Sequence, residues 1–109
     1  MRNLKPKHNP KRADPPRDSY KTKQFTKDWA RLLSSGRYDL ARAKEVMLLL
    51  ISSETLGPEW QDHALNGEYT DYRECHIGGD FLLVYKIERE SKTEKIVFAR
   101  IGTHSELFR

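Results

Sequence analysis

The chain has 109 residues and a mass of 12.8 kDa, room for one small domain. A third of it is charged and mean hydropathy is −0.82, and its longest apolar run, Val46 to Ile51, is far short of the roughly eighteen residues of a membrane span. Cys75 is the only cysteine, which excludes an internal disulfide framework and a cysteine-rich zinc site and fits a reducing cytoplasm.

Residues 1–18 hold Arg2, Lys5, Lys7, Lys11, Arg12 and Arg17 against Asp14 and Asp18, which accounts for the whole net charge of +4 and leaves the body neutral. The same stretch carries Pro6, Pro10, Pro15 and Pro16, and Leu4 is its only large aliphatic side chain beyond the initiator. Such a segment buries too little to offset its ordering entropy, so residues 1–18 are expected to be a disordered basic tail and 19–109 the domain. The tail reads either as an inert extension or as a loose electrostatic contact with nucleic acid. It has no apolar stretch of the kind a secretory signal requires.

Tyr20 to Gln24 reads as a short strand. Phe25, Trp29, Leu32 and Leu33 then fall on one helical face, closed by Ser34-Ser35-Gly36. Asp39 can cap a second helix running to about Ser53, with a stripe of Leu40, Ala43, Met47 and Leu50 widened by Val46, Leu49 and Ile51. Leu56 to Gly67 is a long loop, a kind of segment that is often functional in small domains. Beyond it come a strand over Tyr69–Ile77, a Gly78-Gly79 turn, a nearly continuous apolar strand Phe81–Ile87, a polar reversal Glu88–Lys95 and a strand Ile96–Ile101. The order is β-α-α-β-β-β: an α+β fold with two helices on one face of a mostly antiparallel sheet.

Three histidines lie in this body. His63 is in the long loop, His76 precedes the glycine turn and His104 follows the last strand. A two-residue Gly78-Gly79 turn would pair His76 with Phe81 and leave His76 and Asp80 as diagonal neighbours. Counting by two places Phe98, Arg100, Gly102 and His104 on one face. RNA cleavage needs a base for the ribose 2′-OH, an acid for the departing 5′-oxygen and a donor for the phosphate oxygens. His63, His76, His104, Asp80 and Arg100 supply that inventory without a metal. The same residues also read as unrelated surface histidines and a sheet ion pair at Arg100. A metal site is not indicated, because no His pair has helical ligand spacing and no Cys partner is placed for one. Cys75 reads as a small buried apolar residue, and Trp29 and Trp60 as core. Spacing alone leaves function open.

Four ordered blocks carry a resemblance. They are Asp62-His63-Ala64-Leu65-Asn66-Gly67, Tyr72-Arg73-Glu74-Cys75-His76-Ile77, Asp80-Phe81-Leu82-Leu83-Val84-Tyr85-Lys86-Ile87 and Arg100-Ile101-Gly102-Thr103-His104-Ser105-Glu106-Leu107-Phe108. The chain resembles the RelE/ParE toxin superfamily, and its second half resembles the YafQ-type mRNA interferases. That resemblance implies an endoribonuclease without metal or cofactor that cuts mRNA on the ribosome, leaving a 2′,3′-cyclic phosphate and a 5′-OH. It also implies a cytoplasmic protein with a cognate antitoxin, operator DNA being bound only by the toxin–antitoxin pair, and no membrane partner.

By the same resemblance His104 is the leading acid/base, His63 and His76 share proton and phosphate work, and Asp80 orients an imidazole or contacts substrate. Phe108 stacks on a base, with Phe81 and Arg100 completing the substrate set. The chain departs from its relatives in two places. Gly79-Asp80-Phe81 stands where many have Pro-Asp-Trp, and the basic tail has no counterpart. The rival readings are a ParE-like protein that poisons DNA gyrase without cutting RNA, and an inactive toxin kept for antitoxin or operator binding. Three proton-transfer residues are more than a pure binder needs.

Overall fold

The computed structural model describes residues 16–108. The elements are β1 (Asp18–Lys21), α1 (Lys23–Ser35), α2 (Leu40–Ile51), a 3-10 turn (Pro58–Trp60), β2 (His63–Ala64), a second 3-10 turn (Gly67–Tyr69), β3 (Arg73–Gly78), β4 (Phe81–Glu90), β5 (Thr93–Thr103) and α3 (His104–Phe108). The strands lie in the order β1-β5-β4-β3-β2. β1 runs parallel to β5 and every other pairing is antiparallel. The expected β-α-α-β-β-β order is present, with β2 and α3 added to it.

α1 begins where Thr22 Oγ1 accepts the Phe25 N–H at 2.9 Å, so the first strand stops at Lys21 and Gln24 belongs to the helix. Gly36, at φ 67°, ends the helix in the left-handed conformation. The buried line of α1 is Phe25, Asp28 and Leu32, whereas Leu33 is 65% exposed. Asp39 caps α2 as its sequence suggests, accepting from Arg42 N at 3.0 Å. α2 buries Ala43, Val46, Met47 and Leu50.

The long apolar run of β4 is explained by burial on both faces. Leu83 and Tyr85 join Phe25, Leu32, Val46, Leu50, Phe98 and Ile101 in the core beneath the helices. Leu82 and Val84 join Ala99 and Leu107 in a smaller cluster, against which Leu65, Tyr72 and Phe108 pack.

β1 covers β5 only from Lys95 to Phe98. Beyond that α1 takes over the open edge. Thr22 N donates to Phe98 O (3.1 Å), Thr22 Oγ1 to Ala99 O (2.8 Å), and Asp28 accepts from Ile101 N (3.1 Å). Residues 1–15 of the expected tail lie outside the described residues. Arg17 belongs to the folded body: its N–H reaches Ile51 O at 2.8 Å, Nη1 reaches Leu50 O at 2.6 Å and Nε pairs with Glu94 at 2.8 Å. Both carbonyls belong to the last turn of α2, where the helix ladder runs out of donors, and Leu50 O also accepts from Ser53 N at 3.2 Å. Asp18 opens β1, so the domain starts before residue 19.

Two register details differ from the sequence expectation. Gly78 pairs with Phe81 and His76 with Leu82, with a bulge between them, so the hairpin turn is Gly79-Asp80. Gly79 sits at φ 53°, which suits the glycine. The second irregularity lies at Ala99. Tyr85 pairs with Phe98 and Val84 with Arg100, so Phe98 faces the helices while Arg100 pairs with a residue of the opposite cluster. The polar reversal narrows to Ser91-Lys92, because Glu88 with Lys95 and Arg89 with Glu94 are cross-strand pairs inside the ladder. No helix among the described residues is long and apolar enough to cross a membrane.

Candidate active site

β2 is only two residues long, but its pairing sets His63 directly opposite Glu74. His63 Nε2 lies 3.0 Å from Glu74 Oε1, and His63 Nδ1 lies 2.9 Å from the Gln61 carbonyl. A carbonyl only accepts, so both contacts are hydrogen bonds at once when the ring carries two protons or when Glu74 supplies one. Glu74 is 5% exposed, and its Oε2 is buried without a hydrogen-bond partner among the described residues. An unpartnered carboxylate oxygen is costly to bury.

The strand bearing His63 is held from behind. Asp62 accepts from Arg73 Nε (3.0 Å) and Nη2 (2.6 Å), and the buried Tyr85 hydroxyl donates to its other oxygen. Burial first, then the Asp62 carboxylate, pushes the Tyr85 phenol far above its ordinary range, so it stays a donor. Replacing Tyr85 by Phe removes one hydrogen bond to a charged group. We expect thermal or urea unfolding to show a loss of about 1–2 kcal/mol, with the fold retained.

His76 lies two residues beyond Glu74 on β3, hence on the same face. Its Nδ1 is 3.1 Å from Gly79 O, which makes Nδ1 the donor and leaves Nε2 with the lone pair in the neutral ring. The His63 and His76 rings lie 6.1 Å apart. One ligand atom from each of His63, Glu74 and His76 falls within 4.8 Å of the other two, so this trio can hold a metal ion. The sequence expectation of no metal site considered helical and Cys-containing spacings; these three groups come instead from two paired strands.

His104 opens α3. Thr103 and Glu106 make a reciprocal cap, with Thr103 N to Glu106 Oε1 at 2.8 Å and Glu106 N to Thr103 Oγ1 at 3.3 Å. The expected placing of His76 and Asp80 as diagonal neighbours assumed a Gly78-Gly79 turn, and the turn is Gly79-Asp80. With the turn shifted, Asp80 Oδ1 accepts instead from the His104 backbone N–H at 3.2 Å. The His104 ring is exposed and lies 5.1 Å from the Phe108 ring, one helical turn on. The register row His76–Leu82–Gly102 puts His76 and the start of α3 at the same end of the sheet, with β3 and β5 about 10 Å apart across β4.

Two candidates are placed differently. Phe81 is 5% exposed and packs against Tyr38 at 4.8 Å in the helix-side core, so its ring is not available to a substrate. Arg100 is bound to the buried Asp28 through Nε (2.8 Å) and Nη2 (3.2 Å), leaving Nη1 for another partner. The hydrogen bonds it donates to the Asp28 carboxylate hold its guanidinium even more firmly charged. Cys75 is fully buried, and burial, Asp62 and Glu74 push its thiol up to about 12; it is inert. Trp60 is buried beneath the Arg42 guanidinium, 4.1 Å from its ring.

The groups at this end of the sheet can take a proton at Glu74–His63 or His76 and give one from His104, with Phe108 beside it. Glu74, Asp62 and Tyr85 were not among the residues singled out from sequence. The alternation of Glu74 with His76 was the available signal for the first of them.

Residues 17–109 match the family of bacterial toxins of type II toxin–antitoxin systems named YafQ. The chain is 35% identical over 94 residues to the mRNA interferase toxin YafQ of Escherichia coli K12, spanning 84% of this chain and 96% of that protein. Its fold matches the E. coli DinJ–YafQ complex with a TM-score of 0.73 at 33% identity, over 85% of this chain and 99% of that one. It matches a metal-bound toxin from Helicobacter pylori with a TM-score of 0.74 at 37% identity, over 84% and 98% of the two chains. The chain therefore belongs to the YafQ family of type II toxin–antitoxin toxins.

Proposed function

We propose that this chain is an endoribonuclease toxin that cuts mRNA on the ribosome by internal transesterification, and that a cognate antitoxin inhibits it. The observation that carries the reading is the buried, unpartnered Glu74 Oε2 beside His63 and His76, with His104 at the same end of the sheet. In the proposed step the Glu74–His63 pair takes the 2′-OH proton. The 2′-oxygen attacks the adjacent phosphorus, the P–O5′ bond breaks, and His104 protonates the departing 5′-oxygen. The products are a 2′,3′-cyclic phosphate and a 5′-OH. His76 and Arg100 Nη1, which makes no hydrogen bond among the described residues, serve the phosphate oxygens, and Phe108 stacks on a flanking base. Asp80 acts by fixing the start of α3 through the His104 N–H. The E. coli relative's name as an mRNA interferase and its complex with DinJ support both the reaction and the antitoxin partner. As the resemblance implies, operator DNA is a partner of the toxin–antitoxin pair, and the site of action is the cytoplasm.

The reaction needs no metal, because the nucleophile belongs to the substrate. His63, Glu74 and His76 nevertheless fit a first-row transition ion, with two imidazole nitrogens and a carboxylate oxygen, and an H. pylori relative is metal-bound. Such an ion is a Lewis acid when bound, but here those three residues would give up the lone pairs that proton transfer uses. We therefore expect toxin stripped with EDTA and then desalted to cleave a reporter message on Mg²⁺-buffered programmed ribosomes as well as untreated toxin, and cleavage to fall at least tenfold with saturating Zn²⁺. Cleavage lost when the toxin alone is stripped and restored by adding back a transition ion at constant Mg²⁺ would overturn the metal-free mechanism. Intact transcripts together with accumulated gyrase–DNA cleavage complexes would favour the ParE-like reading.

A further inference from the structure

The sheet face that carries Glu74 and His76 also carries a row of aromatic rings that the proposed chemistry does not use. From His104 the row passes to Phe108 (5.1 Å), then to Tyr69 (5.2 Å, edge-on at 89°), then to Tyr72 (6.2 Å, 74°). The Lys86 ammonium lies 5.1 Å from the centre of the Tyr72 ring. Tyr72 and Phe108 stand on the apolar floor of Leu82, Val84, Ala99 and Leu107. Tyr69 is 37% exposed, and of the exposed large apolar side chains Tyr20, Leu33, Leu48 and Tyr69 it is the one touching a candidate site residue.

The backbone presents Tyr69 in a fixed position. Gly67, at φ 65°, starts the 3-10 turn; Tyr69 N bonds Asn66 O (3.1 Å), Tyr72 N bonds Tyr69 O (2.9 Å) and Leu65 N bonds Tyr72 O (3.0 Å). A large ring held half in solvent loses little freedom when a flat ligand stacks on it. Charge at the far end suits a phosphate. The cation there is Lys86, which sits at the Tyr72 ring and is held by Glu88 at 2.9 Å. Aromatic steps that end in a cation are how single-stranded nucleic acid is held without reading its sequence.

We propose that Tyr69, backed by Tyr72 and Lys86, forms a nucleotide subsite next to Phe108 that stacks one further base of single-stranded mRNA and contacts its phosphate. The proposal rests on the endoribonuclease reading and extends it to residues that take no part in proton transfer. The occupant is RNA rather than an antitoxin segment, because the row is continuous with the ring beside His104.

The test uses the full chain and ribosomes programmed with a message whose cut has first been mapped with wild-type toxin. Single-turnover cleavage is measured against toxin concentration, on intact message and on messages with an abasic nucleotide at each position flanking the cut. Tyr69→Ala should raise the half-saturating concentration about tenfold, within the range for one stacked base, and leave the maximal rate nearly unchanged. Tyr69→Phe and Tyr69→Trp should retain wild-type values. One abasic position should weaken wild type by the same factor and Tyr69→Ala no further. Lys86→Ala should reduce the salt dependence of binding by up to about one unit of log–log slope.

If wild type cleaves and Tyr69→Ala saturates at the same concentration, the subsite is wrong and the nuclease reading stands. An equal loss in Tyr69→Ala at every abasic position gives the ring a structural role and also overturns the subsite. Loss of antitoxin affinity with cleavage unchanged assigns the row to the antitoxin. Wild type that neither binds nor cuts RNA overturns the nuclease reading, and the subsite with it.

Discussion

His104→Ala should lose about 10²–10⁴ in single-turnover cleavage, the usual contribution of a positioned acid or base. The structure makes this substitution informative because it separates the ring from the scaffold. The bond to Asp80 comes from the His104 backbone N–H and survives in alanine. The Thr103–Glu106 cap that starts α3 also leaves the imidazole untouched. What is lost in the folded state is an exposed ring's contact with Phe108, worth about 1 kcal/mol or less. The variant should therefore melt close to wild type, keep its antitoxin affinity and lose toxicity. Wild-type cleavage by His104→Ala would remove it from the mechanism, and loss of activity through unfolding would make it a structural residue.

The largest stability effect is expected at Asp28. This carboxylate is 1% exposed and accepts from Arg100 Nε and Nη2, from Ile101 N and from Gln24, with Arg31 3.7 Å away. Asp28→Ala strands the Arg100 charge and the N–H of a strand edge together, and should cost about 3–5 kcal/mol. That is a large share of the 5–15 kcal/mol or so typical of a small domain. Adding Arg100→Met should restore part of the loss, since an apolar pair avoids the stranded charge. A double variant no more stable than Asp28→Ala would show that the ion pair is not the cause.

The pH dependence follows from the same group. Burial alone would raise the Asp28 carboxyl, but Arg100, the Ile101 N–H and Gln24 outweigh it and hold it below its ordinary value. A folded-state value lowered in this way adds stability above the unfolded value near about 3.9, and that stability is lost as pH falls through the lower folded value. The stability gap between wild type and Asp28→Asn should be full at neutral pH and shrink below about pH 4. Arg100→Ala reports on phosphate contact only once this coupling is measured, because it leaves Asp28 buried and unpaired.

The order of elements was legible because apolar periodicity and caps are local. The α2 stripe and its Asp39 cap and the continuous apolar run of β4 each carry their own evidence. Register was less so. Gly78-Gly79 and Gly79-Asp80 are both acceptable turns, and only the ladder against β4 selects the second. Alternation along the last strand failed at Arg100 because one bulged residue, Ala99, reverses every face after it. The three histidines were recognisable as residue types suited to proton transfer, but their assembly was not. His63 meets Glu74 through a two-residue strand too short to leave a periodic signal, and what fixes that strand is Asp62, gripped by Arg73 and Tyr85 from distant positions. Phe81 was misplaced because an aromatic beside a turn looks the same in sequence whether it faces solvent or Tyr38.

The fully buried Cys75 has a practical consequence for following this protein in solution. With its thiol buried and pushed up to about 12, it carries far less thiolate at pH 7 than the few per cent of an ordinary exposed cysteine. Alkylating dyes therefore have almost nothing to attack on the natural chain. A single introduced cysteine, such as S105C on the exposed side of α3 next to His104, would take a fluorophore at one position without removing Cys75. A label there reports arrival of message or inhibitor at the working end of the sheet, and the native thiol contributes no background.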